Sequence, residues 1–342
     1  MEKMQDARRA VLVLSYNGKD VTADIAESLT ALVYMDATGQ LDDLNIDLED
    51  RDHNWQGPWS PAEGDKIKAE IRTINWDGPG EIKSLPLGSF VVDTFDSSGP
   101  PDVVSIKALS LPISSGAKME KRSKAWEKTT LKTVSQEIAK RAGLKLIYEA
   151  AENPSYSRLE QALQSDFGFL QETATKEGIA IKVSGGSLVL FDEFKYEQQA
   201  PIATITRGKD NVLGHSFSWS AANTAYRSCT ISYTDSKTKK AISATYTPPG
   251  APKNGPVLKI NEQADSQAAA LQLARKRLRE KNKLVGTGSL SLMGDIRMAA
   301  TLTLNIKGWG RFDGKYIIES AKHSIGGSGY TTDLEIRKVL GW

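Results

Sequence analysis

Three histidines, one cysteine, a run of acids, a run of bases and seven tryptophans are the residues from which chemistry could be built in this chain. His53, His215 and His323 lie far apart, and none has a second His or Cys at metal-ligand spacing, so the zinc templates fail. His53 falls in Asp50-Arg-Asp-His-Asn-Trp55, where a carboxylate could orient an imidazole. No nucleophile accompanies it, and the segment reads as a solvated polar turn between strands. Cys229 sits in the alternating stretch Arg227-Ser-Cys-Thr-Ile-Ser-Tyr233 and reads as a small buried apolar residue rather than a nucleophile.

The acids Asp42, Asp43, Asp47, Glu49, Asp50 and Asp52 lack the loop glycine and the final glutamate of a calcium-binding EF-hand. Leu44, Ile46 and Leu48 alternate with polar residues as a strand would, so some of these acids read as the wet face of a strand. Gly314-Lys315 would need a glycine where Trp309 stands and a Ser or Thr where Tyr316 stands to cradle a phosphate. Gly326-Gly-Ser-Gly-Tyr330 misses the spacing of a nucleophile elbow. No catalytic, cofactor-binding or metal-ligating residue is therefore assigned.

Two clusters suit contact better than catalysis. Trp55, Trp59 and Trp76 gather around Gly/Pro turns, and tryptophan is enriched at protein interfaces and can also stack on a sugar. Arg275, Lys276, Arg277, Arg279, Lys281 and Lys283 crowd one segment without interleaved aromatics. That pattern favours a solvated or subunit-facing helix over a nucleic-acid site. Trp55, Trp59, Trp76, Arg275, Lys276 and Arg279 are the candidate subunit or partner contacts.

The elements that must position them form three blocks. Residues 1–112 carry six extended candidates (Val11–Tyr16, Ser28–Met35, Leu41–Leu48, Lys66–Asn75, Gly88–Phe95 and Val103–Leu109) punctuated by Gly and Pro, with Asn17-Gly18 as a tight turn. Six short strands at this spacing predict a sandwich or barrel. Leu111-Pro-Ile-Ser-Ser-Gly116 reads as a linker into a second block, 113–200. There Thr129 or Thr130 caps a helix carrying Leu131, Val134, Ile138 and Ala142 that stops at Gly143, and Leu144, Leu146 and Tyr148 predict a strand. Ser157–Gln164 reads as a short helix, and Ser165 caps another that ends at Gly178. Ile179–Val183 and Leu188–Leu190 form a hairpin across Gly185-Gly186.

In the third block, 201–342, Tyr226–Thr234 and Ala241–Tyr246 pair across the polar turn Asp235–Lys240. An amphipathic helix at about 264–285 places Ala268, Leu271, Arg275 and Leu278 along one side. Gly288–Met293, Ala300–Lys307, Tyr316–Ser324 and Thr331–Val339 read as closing strands. The predicted fold class is mainly β with an α+β insert, two β units flanking the small module and one amphipathic helix within the C-terminal region. Strand count alone makes the two β units a possible duplication, although no repeat is visible at the level of residues.

Composition excludes several classes. At 342 residues two or three domains are expected, with 39% hydrophobic and 25% charged residues in ordinary globular balance. Lys plus Arg (44) nearly cancels Asp plus Glu (42), so the net charge of +2 gives no whole-chain reason for specific nucleic-acid binding. A single cysteine forms no internal disulfide, as expected of assembly in a reducing cytoplasm. No signal peptide and no membrane span are expected, because the acid-containing first ten residues are followed by only a short apolar run, Val11–Leu14, and no stretch approaches the roughly 20 apolar residues of a span.

Several stretches, taken in order, resemble the phage late control gene D protein family, the hub proteins of contractile tails. They are Leu48-Glu-Asp-Arg-Asp-His-Asn-Trp55, Trp59-Ser-Pro-Ala-Glu-Gly-Asp-Lys-Ile67, Leu87-Gly-Ser-Phe-Val-Val-Asp93 and Lys121-Arg-Ser-Lys-Ala-Trp-Glu127. Tyr156-Ser-Arg-Leu-Glu-Gln-Ala-Leu-Gln-Ser-Asp-Phe-Gly-Phe-Leu170 with Glu177-Gly178 is the most diagnostic. Phe312-Asp-Gly-Lys-Tyr-Ile-Ile318, His323 and Gly329-Tyr-Thr-Thr332 complete the set. The resemblance implies two tail-tube-like β-barrel domains, a homotrimer forming a pseudo-sixfold ring, and adaptation of a sixfold tail tube to a threefold central spike. It implies as partners the spike protein, the tail tube or tube-initiator protein and other baseplate proteins, and as location a virion or a tail-like particle such as an R-type bacteriocin. No enzyme activity is expected. The alternatives are a tail-associated peptidoglycan hydrolase using acids such as Glu49 and Asp52, and a glycan-binding module built on the tryptophans.

Overall fold

The computed structural model describes residues 7–110, 120–220, 225–234 and 241–342. The expected linker at 111–116 and the polar turn at 235–240 lie outside the described residues.

The first β unit runs through β1 (Arg9–Tyr16), β2 (Lys19–Asp20), α1 (Thr22–Ala26), β3 (Leu29–Ala37), β4 (Asp43–Glu49), β5 (Lys66–Ile74), β6 (Ile82–Ser98) and β7 (Val103–Leu109). All six expected strands are present, and β6 extends well beyond its expected span. Asn17 and Gly18 both adopt positive φ and close the β1–β2 turn, as their side chains allow. Period-two patterning drives the burial: Asp43, Asn45, Asp47 and Glu49 of β4 are only half-buried, whereas Asp42 and Asp50 just outside the strand are buried. Leu44, Ile46 and Leu48 are buried and join Leu32, Ile67, Ile71, Phe90 and Val104 in one core.

The middle module comprises β8 (Lys121–Thr130), α2 (Leu131–Arg141), β9 (Lys145–Tyr148), β10 (Ser155–Ser165), α3 (Asp166–Lys176), β11 (Ala180–Ser184), β12 (Ser187–Phe191) and α4 (Glu193–Glu197). Thr130 and Ser165 cap α2 and α3 by accepting from the backbone N–H of Thr133 and Gly168. The helix expected at Ser157–Gln164 is not one. These residues are β10, paired antiparallel with β8 from Ser155↔Thr130 to Ser165↔Lys121. Leu159, Ala162 and Leu163 imitate a helical stripe, yet a bulge at Leu163, φ +50°, turns that leucine out to solvent. Arg158 instead pairs across the ribbon with Glu127 at 2.8 Å.

The last block runs β13 (Thr204–Thr206), β14 (Val212–Trp219), β15 (Ser228–Thr234), β16 (Ala241–Tyr246), β17 (Val257–Asn261), α5 (Gln267–Asn282), β18 (Gly286–Met293), β19 (Thr303–Lys307), β20 (Gly314–Gly326) and β21 (Gly329–Lys338). It holds two cores rather than one. Leu290, Leu304, Tyr316, Ile318 and Leu334 form the second large β core. Cys229, Ile231, Ala270, Ala274 and Leu278 form a smaller one, where α5 lies on the three-stranded sheet β16-β15-β17.

The two β units share a sheet. Its 13 strands follow the path β14-β18-β21-β20-β3-β4-β7-β6-β5-β1-β2, with β13 and β19 attached through β20. The seam is β20 against β3, antiparallel from Ser320↔Ala37 to Ile325↔Leu32. Tyr330 of β21 crosses it and is buried in the first unit's core. The expectation of a mainly β chain around a small α+β module holds, and the shared sheet is what the linear pattern did not predict.

Candidate assembly surfaces and buried junctions

The Trp55–Trp59 turn is built on Asp50. Its buried carboxylate accepts the backbone N–H groups of Trp55 at 2.8 Å and Gln56 at 3.1 Å, so it works as a loop clamp. His53 sits exposed in this turn at φ +55°, the polar turn its neighbours implied. The two indoles meet edge to face, centroids 5.3 Å apart, and Trp59 is 50% exposed. Beneath them lies an apolar cavity of about 400 Å³ lined by Leu14, Tyr16, Ile25, Ile46, Leu48 and Ile67. The Tyr16 hydroxyl donates to Asp65, and burial pushes its pKa up to about 12, keeping it a neutral donor.

Trp76 is not part of that platform. Its indole N–H donates to the Gly294 carbonyl at 2.7 Å and its ring packs on Tyr330, 5.4 Å between centroids. It therefore joins the first β unit to the second within one chain.

Helix α5 brings its bases to carboxylates of the same chain. Lys276 reaches Glu152 at 2.8 Å and Glu177 at 3.2 Å, Arg277 makes a two-pronged contact with Glu262, and Arg279 meets Glu197 at 2.5 Å. Arg275 stays exposed over Phe194 and Tyr246. The buried stripe of α5 is Ala270, Ala274 and Leu278, while Ala268, Leu271 and Arg275 face outward, which corrects the expected face. Alanines fill the contact because they let the helix approach the β15–β16 layer closely.

Two junctions escaped sequence reading because their members are remote in the chain. Buried Arg337 of β21 binds Glu197 at 2.7 Å, Glu193 at 3.0 Å and Glu319 at 2.9 Å, pinning α4 to the last β unit. Asp36 of β3 binds Lys182 of β11 and accepts the Ala300 N–H at 2.9 Å, so one carboxylate ties all three blocks. Beside it, burial and the Asp36 charge push Asp42 up to about 7, with the Tyr34 hydroxyl donating to it at 3.3 Å. His323 completes this layer. Its Nε2–H donates to the Met298 carbonyl at 2.9 Å, leaving Nδ1 to accept from the Tyr330 hydroxyl at 2.7 Å. Burial lowers its pKa and holds the ring neutral.

The geometry is one of contact surfaces and internal seams, and comparison with known proteins places it. Residues 119–337 match the YQBQ-like family. The chain belongs to that family. A probable baseplate hub protein of Escherichia phage 186 is 23% identical, covering 96% of this chain and 92% of the relative. A second probable baseplate hub protein, from Escherichia phage P2, is 28% identical over 57% of this chain and 49% of its own length. These relatives bear out the resemblance to the late control gene D hub family. The fold is that of the 43 kDa tail protein of prophage MuSo2 from Shewanella oneidensis, at TM-score 0.72 and 13% identity, covering 96% of this chain and 98% of that one. A tail protein from Neisseria meningitidis superposes at TM-score 0.71 and 12% identity, covering 98% of each chain. Among the described residues no helix is long and apolar enough to cross a membrane.

Proposed function

We propose that this chain is the hub subunit of a contractile-tail baseplate, three copies forming a pseudo-sixfold ring between a sixfold tail tube and a threefold spike. The observation that carries the reading is the nearly full-length similarity to the phage 186 hub protein. The architecture supports it, since each chain contributes two β units of one sheet and three chains would contribute six. In this reading residues 1–112 and 201–342 are the tube-like units, and 113–200 is a module braced between them. The chain folds in the bacterial cytoplasm and acts in a virion or tail-like particle as a structural, non-enzymatic component.

The six candidate contacts then divide by role. Trp59, with Trp55 behind it, and Arg275 present exposed groups to a neighbouring subunit or baseplate protein. Trp76, Lys276 and Arg279 already hold groups of their own chain and brace the surfaces that the others present. The test is the mass of the purified protein, alone and with its spike and tube neighbours. A trimer that binds the spike is expected, and a clean monomer in the presence of the spike would overturn the proposal.

A further inference from the structure

The near-neutral total of the chain hides an uneven division. Residues 1–112 carry 20 Asp plus Glu against 10 Lys plus Arg, and residues 201–342 carry 10 against 21. Much of the first unit's free acid lies around the cavity beneath Trp55 and Trp59. The two segments that frame its mouth, 17–28 and 50–65, hold seven acids and two bases. Asp50 and Asp65 are spent on the loops themselves, the first on Trp55 and Gln56, the second on Tyr16, Asn17 and Ala62. Asp20, Asp24, Glu27, Asp52 and Glu63 are exposed, and among the described residues none of them is in an ion pair. Of the two bases, Arg51 is held by Glu49 at 2.6 Å.

The cavity itself is apolar. Leu14, Ile25, Ile46 and Ile67 are among its walls, and its Tyr16 hydroxyl already donates to Asp65. A sugar would leave hydroxyl groups unpaired there. An apolar space of roughly 150 Å³ holds a benzene ring. At about 400 Å³ this one admits a bulky side chain with room to spare. Exposed Lys19, Asp24 and Trp59 stand among the lining residues, which opens the cavity to solvent. The acids around it repel a polyanion, whereas a base seated beside an apolar guest would meet them.

We infer that this mouth is the docking site for a segment of a neighbouring baseplate protein that inserts one bulky apolar side chain flanked by Lys or Arg. The inference rests on the assembly role proposed above and names the chemistry of one partner. The mouth segments lead into the starts of β3 and β5, whereas Asp36 and Trp76, which reach the chain's other blocks, stand at or just past the ends of those strands. A second copy fits poorly as the guest. Its exposed apolar side chains next to bases are Trp219, 4.6 Å from the Arg311 guanidinium, and Leu284, which follows Lys283. Pairing of Trp219 with Gly286 sets both by the start of β18, and β21 places that end beside the start of β20. β20 runs antiparallel to β3. Copies set side by side as β20 and β3 are would therefore keep these residues and the mouth at opposite ends of the sheet.

Calorimetric titration of the full-length chain with short peptide amides tests it. The probes are a Leu-Phe pair flanked by Lys and Arg, the same peptide with Glu in place of the bases, and the same with Ser in place of Leu-Phe. The expected result is saturable binding of the first, weakened by salt, and none of the other two. Asp24→Lys/Glu63→Lys reverses charge at two exposed positions of the mouth. It should weaken that binding about tenfold or more, with circular dichroism and trimer mass unchanged. No binding of the basic peptide, equal binding of the Glu peptide, or unchanged affinity in the charge-reversed variant overturns the inference. Loss of the trimer in that variant overturns it as well, because another copy would then occupy the mouth. A parent chain that stays monomeric with its spike yet binds the basic peptide removes the ring and supports the site.

Discussion

Asp42 shows how much one carboxylate can report about the junction of the three blocks. Its ordinary pKa is 3.8, and in the folded chain burial and the neighbouring Asp36 raise it to about 7. Between these values the folded state holds a proton that the unfolded state has released. Stability from this group therefore rises as pH falls from about 7 toward 4 and is lost as pH rises through 7. His323 works in the opposite sense, because its folded pKa is depressed and stability declines as pH falls below the unfolded value of 6.5. Only a difference measurement separates them. Asp42→Asn keeps size and removes the charge, so it should gain stability relative to the parent near pH 8, with the gain shrinking toward about pH 4. Urea unfolding across that range checks it, and a pH-independent difference would show that Asp42 is not titrating. None of this was visible in the sequence. Asp36 falls just past the expected strand Ser28–Met35, and the partners it gathers lie 146 and 264 residues away.

At the scale of elements, period and punctuation were legible wherever an element buries one face. β4 announced itself through Leu44, Ile46 and Leu48, and α2 through Thr130, Leu131, Val134, Ile138 and Gly143. The ribbon β8–β10 was not, because most of both strands is exposed and no alternation records the pairing. Helix α5 was found, but its inner face was misassigned because leucines outrank alanines in a hydrophobic stripe. The structure makes that face testable. Ala274→Leu should overpack the small core around Cys229 and cost about 1–3 kcal/mol, whereas Leu271→Lys should change stability by no more than about 0.5 kcal/mol. Thermal unfolding of the two variants decides the matter, and equal effects would contradict the assigned face. The same logic explains the candidate contacts. Tryptophan type and basic clustering marked regions rich in contacts, but not whether a contact lies inside the chain, as for Trp76, or faces out, as for Trp59.

At the scale of the whole molecule, two large cores with separate membership are joined by one sheet, and this coupling has a measurable consequence. Cooperativity between the β units must pass through β20 and β3, through Tyr330 where it enters the first core, and through the Asp36 and Trp76 contacts. Ser324 lies on β20 between Thr331 of β21 and Val33 of β3, inside the seam. A proline there removes a backbone donor and cannot fit a central strand without local distortion. Ser324→Pro should destabilise the chain by on the order of 2–3 kcal/mol, from a lost ladder bond and a buried group left unpaired. It should also split a single calorimetric transition into two, because each unit keeps its own core while the sheet between them is interrupted. If the variant melts in one transition at a lower temperature, the units are coupled chiefly by the side-chain junctions rather than by the shared sheet. In the proposed ring, strong coupling here would let a strand pulled at one edge transmit load through hydrogen bonds across both units. The internal seam would then be as stiff as the units themselves, leaving the contacts between chains as the joints at which a baseplate can rearrange.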